Sequence, residues 1–441
     1  NVICSVSGTV KAVEPRRVAS GGMVNSVVVE NDGQYEAVEG MGADRDPATL
    51  SKQEIRDIVK AAGIVGMGGA GFPTNVKLSP KNEDAIEYIL INGAECEPYL
   101  TSDYRCMMED PEKIIGGLKV VLQLFDKAKG VIGIENNKPE AIKKLKELVK
   151  DEPRIEVCEL LTKYPQGGER SLIYAVTGRS VNSSMLPADA GCIVDNIGTV
   201  IAIYDAVCKT TPLIERVFTV TGDAIADPRN FRIKIGTNTQ ELIEAAGGFK
   251  SEPEKVISGG PMMGFAMFDL DVPVIKTNGS VLCMTKDQVA ASVETPCIRC
   301  GKCVSACPSH IVPVMMMKAA LKGDCDTFEK LNGILDRKLS ECIFDKFRMF
   351  ASVCIIRSCK IGKITSAVSC STDFLSGFLV LFQNSDCCPV SGCHDRCHQS
   401  TGSCSCDHYL SFFHKVTSPL STIFCRDIRT PSFACSQVSP P

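Results

Sequence analysis

The stretch between residues 88 and 160 constrains the fold more than any other part of the chain. Tyr88-Ile89-Leu90-Ile91 is a short uninterrupted apolar run, the pattern of a strand buried on both faces. Asp110-Pro111 then opens a helix on which Ile114, Leu118, Val121 and Phe125 form one stripe. Residues 131–134 repeat the strand pattern, 138–150 read as a second helix and 155–160 as a third strand. Strand and helix in alternation predict an α/β fold with a mostly parallel, Rossmann-like sheet. Upstream, residues 51–62 predict a helix with Ser51 and Glu54 as a capping box. Two further helices are expected over about 169–177 and 198–209.

The flanks follow other rules. Residues 6–13 alternate, Glu14-Pro15 predicts a break, and residues 25–30 form a β-branched run ending at the turn Asn31-Asp32-Gly33. The chain opens on Asn1 rather than Met, so residues 1–45 read as the remnant of an N-terminal β-sandwich-type domain. Strand patterns at 217–221 and 231–235, then a helix at 239–246 closed by Gly247-Gly248, predict a compact β-grasp-like unit. The expected organisation is 1–45, 46–210, 211–265, a cysteine-bearing segment at 266–336, and a tail at 337–441.

Charge and cysteine content narrow the function. A formal net charge of −4 over 441 residues argues against nucleic acid as a partner, because phosphate binders carry a basic surplus. No stretch reaches the roughly 20 apolar residues of a membrane span. Of 24 cysteines, twelve lie in residues 1–336 and twelve in 337–441. Cys297, Cys300, Cys303 and Cys307, followed by Pro308, have the spacing C-x2-C-x2-C-x3-C-P of a ferredoxin-type [4Fe–4S] ligand run. Three thiolates two residues apart suit three iron corners of a cubane, whereas zinc sites usually pair cysteines across a longer loop. Cys96, Cys106, Cys158, Cys192, Cys208 and Cys283 lack ligand spacing and read as small buried apolar residues. His310 is the one histidine before residue 390, which argues against hydrolase constellations and leaves cofactor-borne redox chemistry.

Four loops complete the motif set. Gly66-Met67-Gly68-Gly69-Ala70-Gly71-Phe72-Pro73-Thr74 follows a predicted helix, and its bare backbone N–H groups suit a phosphate or a flavin ring, with a flexible connector as the bland alternative. Asn92-Gly93-Ala94-Glu95-Cys96-Glu97-Pro98 follows a strand, where open α/β sheets bind ligands, although single carboxylates there are often just solvated. Tyr164-Pro165-Gln166-Gly167-Gly168-Glu169-Arg170 and Asp195-Asn196-Ile197-Gly198-Thr199 each open a helix and offer N-terminal N–H groups to an anion.

These segments, in this order, resemble the C subunit of the Rnf electron transport complex over about residues 5–336, and more distantly the NADH-binding flavoprotein subunit of respiratory complex I. The resemblance implies an FMN- and NADH-binding Rossmann-like domain, an SLBB-type β-grasp insert and a ferredoxin-like helical segment. It implies FMN contacts at Gly66, Gly68, Gly69, Gly71, Lys77, Asn92, Glu95, Tyr164, Gly167, Glu169, Asn196 and Thr199. Phe72 resembles the residue stacking on the adenine of NADH, and Glu97 the carboxylate on its nicotinamide side. The partners implied are the other subunits of a membrane complex and, indirectly, ferredoxin. The implied location is peripheral, on the cytoplasmic side of the bacterial plasma membrane. Soluble flavin/iron–sulfur reductases of the corrinoid-reductase type are similar over the same loops and stay open as an alternative.

The family that these loops resemble carries a second cysteine run soon after the first. Here Arg337-Lys338-Leu339-Ser340 follows Asp336 and the composition turns rich in Cys and Ser. Residues 337–441 therefore read as an aberrant, out-of-frame tail, with a Cys/His metal-binding tail (Cys393, His394, Cys397, His398, Cys404, Cys406, His408) as the rival. If Cys307 serves a second cluster, as the fourth cysteine of such a run does in two-cluster proteins, neither cubane would be complete without the second run, which leaves open an FMN-binding remnant that transfers no electrons.

Overall fold

The computed structural model describes residues 3–182, 184–287, 297–307, 311–322, 324–331, 422–426 and 437–438. Pro308, His310 and nearly all of residues 337–441, with the readings made of that tail, lie outside the described residues. Among the described residues no helix is long and apolar enough to cross a membrane.

The chain begins with an antiparallel hairpin, β1 (Gly8–Arg17) and β2 (Met23–Asn31). The break expected at Glu14-Pro15 does not occur: β1 runs through it, Pro15 opposite Asn25. An outer strand needs no N–H from every residue, and β1 is the outer strand of its sheet. Helix α1 (Lys52–Ala61) has the expected capping box between Ser51 and Glu54, and α2 (Thr74–Lys77) follows the glycine loop.

The central sheet holds β3 (Tyr88–Gly93), β4 (Lys129–Glu135), β5 (Ile155–Leu160) and β6 (Cys192–Asn196). Its order is β5-β4-β3-β6, with every pair parallel. Ile89, Leu90, Ile91, Val131 and Ile132 are fully buried, each contributing about 1.5–3 kcal/mol relative to exposure. Alternation decides what each meets. After β3 come α3 (Ser102–Glu109) and α4 (Pro111–Leu124), and after β4 comes α5 (Pro139–Leu148). Ile89, Ile91 and Ile132 pack with Ile114, Leu118 and Val121 of α4 and with Leu145 of α5. Leu90 and Val131 face Leu172 and Ile173 of α6 (Glu169–Thr177). Helix α7 (Ile197–Cys208) lies against α4 so closely that a Cβ on Gly117 would sit 2.2 Å from the Val200 carbonyl oxygen. The register sets Asn92 level with Gly133 and Asn196, so the carboxyl ends of β3, β4 and β6 open onto one edge.

A second sheet follows. It contains β7 (Glu215–Thr221), β8 (Arg229–Lys234), β9 (Lys255–Ser258), β10 (Phe265–Met267) and β11 (Ser280–Met284), with α8 (Thr239–Ala245) between β8 and β9. Its order is β10-β9-β11-β7-β8, with β11 parallel to β7 and the other pairs antiparallel. Leu242 and Ile243 of α8 pack on Phe218, Val220, Phe231 and Ile233, which makes the expected β-grasp-like arrangement. Polar contacts dock this sheet on α3 and α4: Arg232 pairs with Asp110 at 2.6 Å, and the Asn230 amide donates to the Thr101 hydroxyl at 2.9 Å. Short strands Thr422–Arg426 and Gln437–Val438 lie parallel to β2 and antiparallel to β8. Helices α9 (Lys302–Ser305), α10 (Pro313–Lys322) and α11 (Cys325–Lys330) overlap and follow the ferredoxin-type run and pack on one another.

Candidate functional site

The glycine loop lies between α1 and α2 and is closed by the Gly66 N–H donating to the Phe72 carbonyl at 2.9 Å. It is stapled to the start of α7. The Met67 N–H donates to the Thr199 hydroxyl at 3.0 Å, and a Cβ on Gly68 would fall 3.0 Å from the Asn196 amide nitrogen. Asn196 caps α7 by accepting from the Gly198 N–H at 2.8 Å. Lys77, at the end of α2, donates to the Val194 carbonyl at 2.7 Å and to Asp195 Oδ1 at 3.1 Å. Asp195 is buried, which pushes its carboxyl up against the opposing pull of Lys77. Among the described residues, its Oδ2 and the buried Thr74 hydroxyl have no hydrogen-bond partner. Outward, a Cβ on Gly69 would meet nothing within 4 Å, so the backbone there is bare.

At the carboxyl ends of β3 and β4 lies an open cavity of about 600 Å³ lined by Glu95, Cys96, Glu97, Tyr99, Lys138 and Tyr164 among others. Glu95 stands at φ 44°, and its carboxylate accepts from the N–H groups of Asp103 at 2.7 Å and Tyr104 at 2.9 Å, the first turn of α3. Burial, and then the charge of Asp103, push Glu95 up to about 8. Burial raises Asp103 as well, against the Asn196 amide that donates to it at 2.7 Å and the charge of Arg216. Glu97 Oε1 accepts from the N–H groups of Met262 at 2.6 Å and Met263 at 3.1 Å in the second sheet's loop. Lys138 donates to the Ala94 carbonyl at 2.8 Å and lies 3.6 Å from buried Glu135.

Of the residues singled out from sequence, Glu95, Glu97 and Tyr164 line this cavity. Asn92 and Gly167 pin the loops that form it: the Asn92 amide donates to the Gly167 carbonyl at 2.7 Å, and the Gly167 N–H donates to Cys96 Sγ at 3.2 Å. Gly66, Gly68, Gly69, Gly71, Lys77, Asn196 and Thr199 form the adjoining cradle, joined to the cavity through Asn196 and Asp103. Glu169 begins α6, and Phe72 is 51 % exposed at the end of the glycine loop. Sequence reasoning missed Asp103, Glu135 and Lys138. Glu135 ends β4 and Lys138 follows it, much as Glu95 and Glu97 follow β3, so the same rule of ligand binding at strand carboxyl ends would have found them. Cys96 and Cys158 are half-buried, unlike Cys106, Cys192, Cys208 and Cys283, which are buried as expected.

The Nuo51 FMN-binding domain family matches residues 59–205, and the SLBB domain family matches residues 217–266. The C subunit of the proton-translocating ferredoxin:NAD(+) oxidoreductase complex of Clostridium ljungdahlii is 44 % identical over 75 % of this chain and 71 % of its own length. The chain belongs to the Rnf C-subunit family of ion-translocating ferredoxin:NAD(+) oxidoreductases. The C subunit of the Na(+)-translocating complex of Acetobacterium woodii is also 44 % identical, over 76 % of this chain and 75 % of its own length. Its counterpart in the ion-translocating oxidoreductase complex of Pseudomonas aeruginosa is 40 % identical over 71 % of this chain and 41 % of its own length.

In this Rnf-family chain, the cradle fits the phosphate end of FMN. Bare glycine backbone, the Lys77 ammonium and the N-terminus of α7 lie together there, and the buried Thr74 hydroxyl, a donor, has no partner among the described residues. The cysteine run is a different case. Cys297 and Cys300 are exposed, Cys303 is half-buried and Cys307 buried. Arg299 at φ 56° and Gly301 at φ 74° curl the loop, and the Arg299 N–H donates to Cys297 Sγ at 3.4 Å. An all-thiolate donor set suits an iron–sulfur cluster, but among the described residues no three Cys, His, Asp or Glu side chains converge into a metal-binding group. The donor chemistry fits; the positions do not.

Proposed function

We propose that this chain is the NAD-side subunit of an ion-translocating ferredoxin:NAD(+) oxidoreductase complex, and that it exchanges electrons with NADH through FMN. The observation that carries this reading is the convergence of the glycine cradle and the Glu95–Glu97–Tyr164 cavity at the carboxyl edge of one parallel sheet. When bound, FMN supplies the interchange between the two-electron chemistry of NADH and the single-electron chemistry of iron–sulfur centres.

The chain's own groups have distinct tasks in this reading. Lys77, the glycine-loop N–H groups and the start of α7 hold the phosphate. Asn92, Tyr164, Gly167 and Glu169 surround the ring end, and Thr199 and Asn196 fix the loop from below. Glu95, held by the N–H groups of Asp103 and Tyr104, keeps a carboxyl group at the ring with a proton affinity near neutral pH. Exposed Phe72 meets the adenine, and Glu97 the nicotinamide side. Cys297, Cys300, Cys303 and Cys307 of the segment 266–336 would be [4Fe–4S] ligands, a proposal that rests on their spacing alone, since the thiols are not gathered among the described residues. The units 46–210 and 211–265 would be the FMN/NADH and SLBB-type domains, with 1–45 a β-rich unit ahead of them. As part of a membrane complex the chain would sit peripherally on the cytoplasmic face, with the other subunits and, through them, ferredoxin as partners.

Gly68→Val tests the cradle. A Cβ there already meets Asn196 at 3.0–3.1 Å, and two further methyl groups must push the loop off α7. The purified variant should lose the visible flavin absorbance and FMN content of the parent chain while keeping its circular dichroism. A folded variant with full flavin content removes the assignment.

A further inference from the structure

The carboxylate that faces the cavity from the loop after β3 is gripped by the second sheet. Glu97 Oε1 takes both the Met262 and the Met263 N–H, at 2.6 and 3.1 Å. The loop that presents them is shaped for this contact. A Cβ on Gly260 would lie 2.2 Å from Glu97 Cγ and 2.4 Å from Oε1. Gly264 returns its N–H to the Gly260 carbonyl at 2.8 Å, and a Cβ there would fall 2.3 Å from that oxygen. Gly259 stands at φ +97°, where side chains are strained. Glycine is thus required at both ends of a turn whose N–H groups converge on one carboxylate oxygen. Charge-assisted bonds of this kind are roughly twice as strong as neutral ones, and two of them fix the rotamer.

We propose that the 259–264 loop of the SLBB module is the positioning element for Glu97, so that the nicotinamide end of the NADH site is built from both modules. The proposal rests on the reading of Glu97 as the nicotinamide-side carboxylate. It makes the SLBB module a determinant of nucleotide affinity and not just a spacer. Met262 and Met263 act through their backbone, so their side chains can vary, whereas Gly260 cannot.

The test uses the FMN-loaded full chain and two probes, NADH and ADP-ribose, the second lacking the nicotinamide. Affinities are read from quenching of flavin fluorescence. Gly260→Ala should weaken NADH about tenfold, leave ADP-ribose and flavin content unchanged, and add no further loss on a Glu97→Ala background. Unchanged NADH affinity, equal losses for both probes, or additive losses in the double variant would each overturn the proposal. Should Gly260→Ala fail to fold, Glu97→Gln and Glu97→Ala decide. Gln still accepts from the two N–H groups, so its NADH affinity must stay nearer the parent's, and equal losses sink the idea. A parent chain that takes up FMN but no NADH overturns the underlying reading of Glu97 itself, a result distinct from a parent that binds NADH normally with Gly260→Ala indifferent.

Discussion

Glu95 and Asp103 are two half-buried carboxyls beside one cavity, and both are raised chiefly by burial. A carboxyl whose folded value rises from 4.5 to about 8 binds more protons folded than unfolded across that interval. Its contribution to stability is therefore present at low pH and lost as pH climbs from 4.5 toward 8. Asp103 acts with the same sign. Glu95→Gln removes the Glu95 titration, so its melting temperature should fall less over this range than the parent's; parallel profiles would show that Glu95 does not titrate there. Residues of this kind are only half legible from sequence. Glu95 and Glu97 announce themselves by following an apolar strand, but Asp103 lies in a helical stretch with nothing to mark it. What makes it part of the site is the turn at Glu95, φ 44°, which sends the β3 loop back onto the first turn of α3.

At the scale of elements, the parallel strands are the most legible feature, because burial on both faces demands an unbroken apolar run and neighbouring helices demand a stripe. The glycines inside α4 are not legible in that way, since helix propensity alone disfavours them. Their reason is the approach of α7: a Cβ on Gly117 would lie 2.2 Å from the Val200 carbonyl, while on Gly116 it would meet the Tyr204 ring at 2.5 Å. Ala in place of Gly gains up to about 1 kcal/mol of intrinsic helix stability. Overpacking against a backbone atom costs about 1–3 kcal/mol, so the clash wins. Gly117→Ala should lower the melting temperature. Because α7 carries Thr199 and follows its cap Asn196, the same variant should also weaken FMN binding. Gly116→Ala should do less of both, as a ring can turn aside and a carbonyl cannot. Equal effects at the two positions would mean that the α4–α7 approach is looser than it stands here.

Across the whole molecule, short-range pattern locates each sheet, but not the contacts between them. The clasp of Met262 and Met263 on Glu97 joins residues 165 and 166 positions apart, and no periodicity in either segment foretells it. The cysteine run is the reverse: its spacing is plain in the sequence, yet its thiols are not gathered in the described structure. Helices α9, α10 and α11 pack on one another, and the Nuo51 match at 59–205 takes in every residue assigned to FMN without reaching residue 297. Cys297 and Cys300 are exposed, and exposed substitutions usually stay within about ±0.5 kcal/mol. Flavin binding and iron binding should therefore be separable. In the full chain, Cys300→Ser, or treatment with an iron chelator under reducing conditions, should abolish any iron and acid-labile sulfide while leaving FMN per chain unchanged. NADH oxidation with ferricyanide, which draws electrons directly from a flavin, should persist in both. Loss of flavin in step with iron would instead mean that the cysteine segment is part of the FMN site, and the separation of the two modules would have to be given up.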